Sequence, residues 1–302
     1  MNRKARFQFP LINKKNSIIL KIQNMFGIRI RMANAMAQTL LLLSLLHTTA
    51  AVSIAMLNGN HYPPHSDDAT AEEFMNATLQ LFKRDATLAK AAEAAMLITP
   101  EFALSSSTWL KACTSPKAPT PWCPLLPDDL SCGSSSSHYY RQLACLAKDI
   151  NITLAVNLCE GDTNGTNWNT QAIFDATGHL LTKYRKTHPY KAKCFAKPAR
   201  VTLVTFNVTG VPFETGIFTC KDILYSTPAK NLYDAGIRHF VYSSAIPLVG
   251  NAVKKVWSER YRDSFLMASD SANGDSGVYN NGDKLISSTL NNGSIVLWHV
   301  PV

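Results

Sequence analysis

The chain has 302 residues, enough to bury one large hydrophobic core, and its 46% hydrophobic and 17% charged content excludes a disordered polymer. Its formal net charge of +9 is unevenly placed: residues 1–31 hold eight of the thirty Lys and Arg residues and no acid, leaving 22 basic against 21 acidic residues in the rest. A nucleic-acid-binding role needs a basic face that this nearly neutral remainder does not supply.

The basic lead-in is followed by an apolar run at residues 40–46 and by small residues at 48–51. This order of basic, apolar and small segments predicts a secretory signal over 1–51, cleaved near Ala50 or Ala51. A mitochondrial transit peptide is the rival reading, since the first 31 residues are acid-free. The apolar run is well short of the roughly 20 residues that span a bilayer, so no transmembrane segment is expected. Asn76, Asn151, Asn164, Asn207 and Asn292 each begin an Asn-x-Ser/Thr acceptor for glycosylation. Both features fit an extracellular protein.

The body, 52–302, is expected to be a single domain. Residues 52–57 read as a first strand. Residues 69–94 carry helical spacing, and 95–99 form a short buried strand ending at Pro100-Glu101. The Ser-, Pro- and Cys-rich stretch 104–137 reads as a long surface loop. A helix is expected over 138–149 and a strand over 152–158. A hairpin joins 171–175 to 179–184 through Gly178. Further strands are expected at 201–206, 215–219 and 239–243, a helix at 252–261, and closing strands at 264–268, 276–279 and 294–300. Strands alternating with helices predict an α/β fold.

Seven cysteines leave one unpaired if the others form disulfides, and the six outside the 215–224 segment allow 15 pairings. Cys220 stands apart. It ends an apolar strand run and is followed at once by Lys221-Asp222, a layout that presents a thiol on a strand-to-helix elbow. A thiol that attacks an amide also needs a proton acceptor and positive charge where the oxyanion develops. Glu101, at the end of a buried strand, and Lys186, after the 179–184 strand, supply those residue types. His188 is read as a local hydrogen-bonding residue and the five tryptophans as packing. No paired-His or Cys-x-x-Cys spacing suggests a metal, the 161–165 loop lacks the features of a phosphate cradle, and no Gly-x-Ser-x-Gly elbow supports a serine triad. No cofactor is expected.

Ile98-Thr-Pro-Glu101, Phe174-Asp-x-x-Gly178 with Tyr184-Arg-Lys186, and Gly216-Ile-Phe-Thr-Cys-Lys-Asp-Ile-Leu224 occur in this order. They resemble the nitrilase (carbon–nitrogen hydrolase) superfamily. Gln142-Leu-Ala-Cys-Leu-Ala-Lys-Asp149, Tyr184-Arg-Lys-Thr-His188, Phe265-Leu-Met-Ala-Ser-Asp270 and Ser276-Gly-Val-Tyr279 are similar to its vanin (pantetheinase) and biotinidase branch.

The resemblance implies an αββα sandwich with Cys220 as nucleophile, Glu101 as proton acceptor and Lys186 as proton donor and oxyanion partner. The backbone N–H of Lys221 would be a second oxyanion donor. It implies hydrolysis of a linear amide such as pantetheine or biocytin through a thioester, the small-molecule amide being the main partner. A secreted homologue that binds such a ligand without turnover is the alternative, and a homodimer is left open. Relative to the branch, Lys221 stands where an aromatic residue is usual, the 187–200 stretch lacks an acid, and Ser243-Ser-Ala-Ile-Pro247 replaces a pocket-lining segment. The branch's C-terminal domain is expected to be absent.

Overall fold

The computed structural model describes residues 52–59, 69–117, 120–135, 138–190, 193–272 and 274–301; the expected signal lies outside the described residues. The first half contains β1 (Ser53–Leu57), α1 (Ala71–Ala91), β2 (Ala94–Ile98), α2 (Ser107–Ala112), α3 (His138–Ile150), β3 (Thr153–Gly161), β4 (Asn167–Phe174) and β5 (Leu180–Arg185). The second half contains β6 (Thr205–Asn207), β7 (Glu214–Thr219), α4 (Asn231–Asp234), β8 (His239–Ser244), α5 (Gly250–Arg260), β9 (Phe265–Asp270), β10 (Gly277–Asn280), β11 (Asp283–Leu285), β12 (Ser288–Leu290) and β13 (Ile295–His299).

These strands form two mixed sheets, ordered β12-β13-β1-β2-β3-β4-β5 and β11-β10-β9-β8-β7-β6. Each has three parallel central strands, β1–β3 in one and β7–β9 in the other, flanked by antiparallel ones. Successive side chains on a strand point to opposite faces, so strands buried on both faces feed two cores. In β1, Ile54 and Met56 enter a core shared with Ile217, Val241 and Met267 of the other sheet, whereas Ala55 and Leu57 pack with Phe82, Ala86 and Leu143 of the helices. Trp257 of α5 covers the far side of the second sheet with Phe218, Phe240 and Tyr242. The layers are therefore helix, sheet, sheet, helix.

Local sequence explains the helix boundaries. Thr70 and Glu73 form a reciprocal capping box at the start of α1, Glu73 N–H donating to Thr70 Oγ1 at 3.2 Å and Thr70 N–H to Glu73 Oε2 at 2.9 Å. Glu72 and Glu73 in the first turn and Lys90 in the last complement the helix dipole. In α3, Tyr140, Leu143, Ala144 and Ala147 recur at the spacing of one buried helical face. The β4–β5 hairpin turns on Gly178, whose φ is +86° and where an added Cβ would lie 2.9 Å from Lys148 Cβ.

Several sequence expectations are corrected. The strand expected at 201–206 is only Thr205–Asn207, because residues 201–204 run irregularly before they reach the β7 edge. The 104–137 stretch is not all loop: it contains α2, and Leu110 packs there with Phe195 and the surrounding cysteines. β11 and β12 have no counterpart in the sequence reading, as each is a three-residue edge strand with too few positions to show alternation. The six loop-side cysteines pair as Cys113–Cys194, Cys123–Cys159 and Cys132–Cys145, leaving Cys220 as the free cysteine. These bridges hold the 113–132 stretch to β3, to α3 and to the segment after β5.

His239 begins β8 and lies between the rings of Phe213, at 3.6 Å, and Phe265, at 5.0 Å. Burial disfavours the imidazolium and lowers its pKa to about 4. The unfolded chain then binds one more proton between the ordinary histidine pKa of about 6.5 and 4, so this group withdraws stability as pH falls through that window. Urea unfolding across it should show a shallower acid loss for His239→Phe than for wild type; equal slopes would contradict the assignment.

Candidate active site

The three sequence-predicted residues converge. Glu101 follows the C-terminal end of β2, Lys186 that of β5 and Cys220 that of β7. The carboxyl ends of strands are where open α/β sheets place ligands, because the loops that follow are free to diverge. All three are buried, with exposures of 1%, 1% and 7%. The Glu101 carboxylate pairs with Lys186 Nζ and accepts from Asn169 Nδ2 at 2.9 Å. Asn169 also accepts Lys186 N–H on its backbone oxygen at 2.8 Å, so one β4 residue fixes both partners. Asn157 in turn donates to Asn169 Oδ1 at 2.9 Å and accepts Phe102 N–H at 2.7 Å.

Cys220 has φ +45°, which places a non-glycine residue in the left-handed region and marks a strained elbow. Its surroundings hold that conformation. Tyr242 Oη donates to Cys220 O at 2.9 Å. Two residues on, the buried Asp222 carboxylate accepts from Thr219 N–H at 3.1 Å, Tyr184 Oη at 2.8 Å and His188 N–H at 2.8 Å, and it meets His188 Nδ1 at 2.9 Å. Asp222 thus ties the elbow to the strand end that carries Lys186. His188 stacks on Tyr225 at 3.8 Å, so it is the local hydrogen-bonding residue expected from the sequence.

The electrostatics favour a resting thiol. Burial pushes the Cys220 pKa up, the neighbouring Glu101 carboxylate raises it further, and Lys186 and the Ala245 N–H oppose this only in part. Burial alone would lower the Lys186 pKa, but Glu101, Cys220 and Asp222 outweigh it and hold the ammonium above its ordinary value.

The end of β8 is a second support. Ser243 Oγ donates to Thr99 O at 2.6 Å, Glu101 N–H to Ser244 O at 3.3 Å and Ser244 Oγ to Asp270 Oδ2 at 2.7 Å. Asp270 is paired with Lys254, both wholly buried. Asn157, Asn169, Asp222 and the Lys254–Asp270 pair were missed as site residues in the sequence reading. A polar residue within an apolar strand run, such as Asn157, was the available signal.

The site opens into a cavity of about 580 Å³. Glu101 and Cys220 lie in its wall with Leu110, Ile223, Ile246 and Val249, and Lys221 borders it beside Cys220. Ala245, Ile246 and Pro247 of the 243–247 segment also line the pocket. Among the described residues no group of three His, Cys, Asp or Glu side chains is placed to hold a metal ion. Asn76, Asn151, Asn164, Asn207 and Asn292 are all exposed. No described helix is long and apolar enough to cross a membrane.

Comparison with known proteins bears on the family and the fold. The chain is 28% identical over 197 residues to the pantetheinase of Bos taurus, covering 60% of this chain and 38% of that protein. It is 28% identical over 197 residues to human biotinidase, covering 58% and 35% respectively. The chain thus spans well under half the length of the curated relatives it matches. Among solved structures, the fold matches Saccharomyces cerevisiae Nit3, of branch 10 of the nitrilase superfamily, with TM-score 0.61 at 16% identity over 82% of this chain and 89% of that one. It also matches an amidase from Nesterenkonia sp. with TM-score 0.62 at 15% identity, over 83% and 90%. The carbon–nitrogen hydrolase family matches residues 50–265, and with the buried Glu, Lys and Cys at the strand ends this chain belongs to that family.

Proposed function

We propose that the protein is a secreted thiol amidohydrolase acting on linear amides of the pantetheine or biocytin type. The observation that carries this reading is the buried meeting of Glu101, Lys186 and Cys220 at the end of an apolar cavity, with Cys220 the free thiol.

In this reading Glu101 accepts the Cys220 proton as the sulfur attacks the amide carbonyl. A C–S bond forms and the carbonyl π pair moves to oxygen, where Lys186 Nζ and the Lys221 backbone N–H hold the developing charge. Glu101 returns the proton to the leaving nitrogen as the C–N bond breaks, leaving a thioester and a free amine. Water then gives its proton to Glu101, attacks the thioester and releases the acid, and the proton returns to sulfur. Because the resting thiol is protonated, the acceptor beside it does the activation that a low-pKa cysteine would not need.

The names of the aligned relatives, pantetheinase and biotinidase, support the substrate class. Three disulfides, five exposed glycosylation acceptors and the basic, apolar and small order of residues 1–51 support secretion. The test is cysteamine release from pantetheine and lysine release from biocytin by the glycosylated, oxidised protein. Wild type should release one of them, and Cys220→Ala should fall to background with its fold retained. Activity surviving in Cys220→Ala would remove the nucleophile assignment. No release from either substrate by folded wild type would favour a ligand-binding homologue.

A further inference from the structure

The cavity beside Cys220 is apolar within but charged at its border, and apart from Glu101, which Lys186 neutralises, the charge there is positive. Lys111 at the end of α2 and Lys221 on the elbow both line it. Lys193 adds a third ammonium beside this wall, donating to Lys111 O at 3.3 Å. Lys221 Nζ lies 5.9 Å from the ring centre of Tyr225, which the stacked and Asp222-bound His188 holds in place. Among the described residues, none of these three lysines forms an ion pair.

The sequence shows why. The stretches that wall the cavity, 102–127, 187–213 and 235–258, contain no Asp or Glu at all, although the body carries nearly equal numbers of acids and bases. Two acids remain near the reacting sulfur. Glu101 is paired with Lys186, and Asp222 is buried and occupied by Thr219, Tyr184 and His188. With Glu101 neutralised by Lys186, the remaining charges on the wall are ammonium groups without an acid partner, which attract and orient an anion and repel a cation.

We propose that the pocket selects linear amides that carry an anionic group, a carboxylate in the simplest case, separated from the scissile bond by an apolar chain. The chain would lie against Leu110, Ile223, Ile246 and Val249 while Lys111 and Lys221 receive the anion. This rests on the amidohydrolase reading and narrows it to anionic amides, which disfavours the uncharged pantetheine as its substrate. Lys221, which borders the cavity beside Cys220, becomes a specificity residue through its side chain.

The probes are suberic acid monoamide and octanamide, which share a chain and differ in the distal carboxylate. Wild type should favour the acid by about tenfold in kcat/KM at low salt, as expected for a partly exposed charge-assisted contact. That ratio should shrink as salt is raised and approach one in Lys111→Ala/Lys221→Ala. A ratio near one in wild type, or one untouched by the double substitution, would overturn the proposal. Calorimetric titration of both probes into Cys220→Ala separates the two readings. If wild type cleaves neither probe, nor pantetheine, nor biocytin, but Cys220→Ala binds the acid more tightly, the anion site stands and the amidohydrolase fails. Equal or undetectable binding of both sinks the anion site whatever the turnover.

Discussion

Glu101→Gln is expected to lower amide turnover between about a hundredfold and ten-thousandfold, the usual range for a positioned acid–base group, while making Cys220 more reactive toward iodoacetamide near neutral pH. The opposite signs follow from the geometry. Burial raises the Cys220 pKa first, and the Glu101 carboxylate raises it further against the pull of Lys186. A neutral glutamine keeps an acceptor for Asn169 but removes the negative charge, so Lys186 alone then faces the sulfur and stabilises its thiolate. The thiolate forms more readily, yet the carboxylate that returns the proton to the leaving amine and takes one from water is gone. Measuring both rates on one preparation checks the argument. Turnover retained in Glu101→Gln would remove the proton-transfer role, and alkylation slowed by the change would contradict the electrostatics.

Lys254→Met is expected to destabilise the protein by about 3–5 kcal/mol, because it leaves the wholly buried Asp270 carboxylate without its cation. Adding Asp270→Asn should recover much of that loss, since a neutral amide costs far less to bury than an unpaired charge. Urea unfolding with the disulfides intact gives both values. A Lys254→Met variant within about 1 kcal/mol of wild type, the span of a surface pair, would show that the charge is not buried as described. Activity should follow the same order. Asp270 holds Ser244, whose carbonyl receives Glu101 N–H, and the adjoining Ala245 N–H faces Cys220. The pair acts as a positioning element. Amide hydrolysis should therefore fall in Lys254→Met and rise again in Lys254→Met/Asp270→Asn, whereas a purely global loss of stability would leave the activity per folded molecule unchanged.

What could be read from the chain was local or ordered. The α/β class followed from alternating strand and helix patterns, and the αββα arrangement from the motif resemblance. Cys220 was legible because an apolar run that stops at a thiol and a charged turn is a local pattern, and Glu101, Lys186 and Cys220 came in the family's order. The exposed edges were not legible: β11 and β12 are too short to carry a period, and β6 is held to β7 by pairing that no local preference at 201–204 foretells. Disulfide pairing was one of 15 possibilities until the fold brought Cys113 and Cys194 together across 81 residues. The supporting shell belongs to tertiary structure alone. Lys254 and Lys255 are adjacent and chemically identical, yet only Lys254 is wholly buried, because the helix turns that one toward Asp270. Asp222 reads as a turn residue in sequence and becomes the link between elbow and lysine strand only because His188 and Tyr184 arrive from 34 and 38 residues away. A sequence can state which groups are chemically able to react; their burial and pairing, which set their charge, come from contacts between segments that no local pattern encodes.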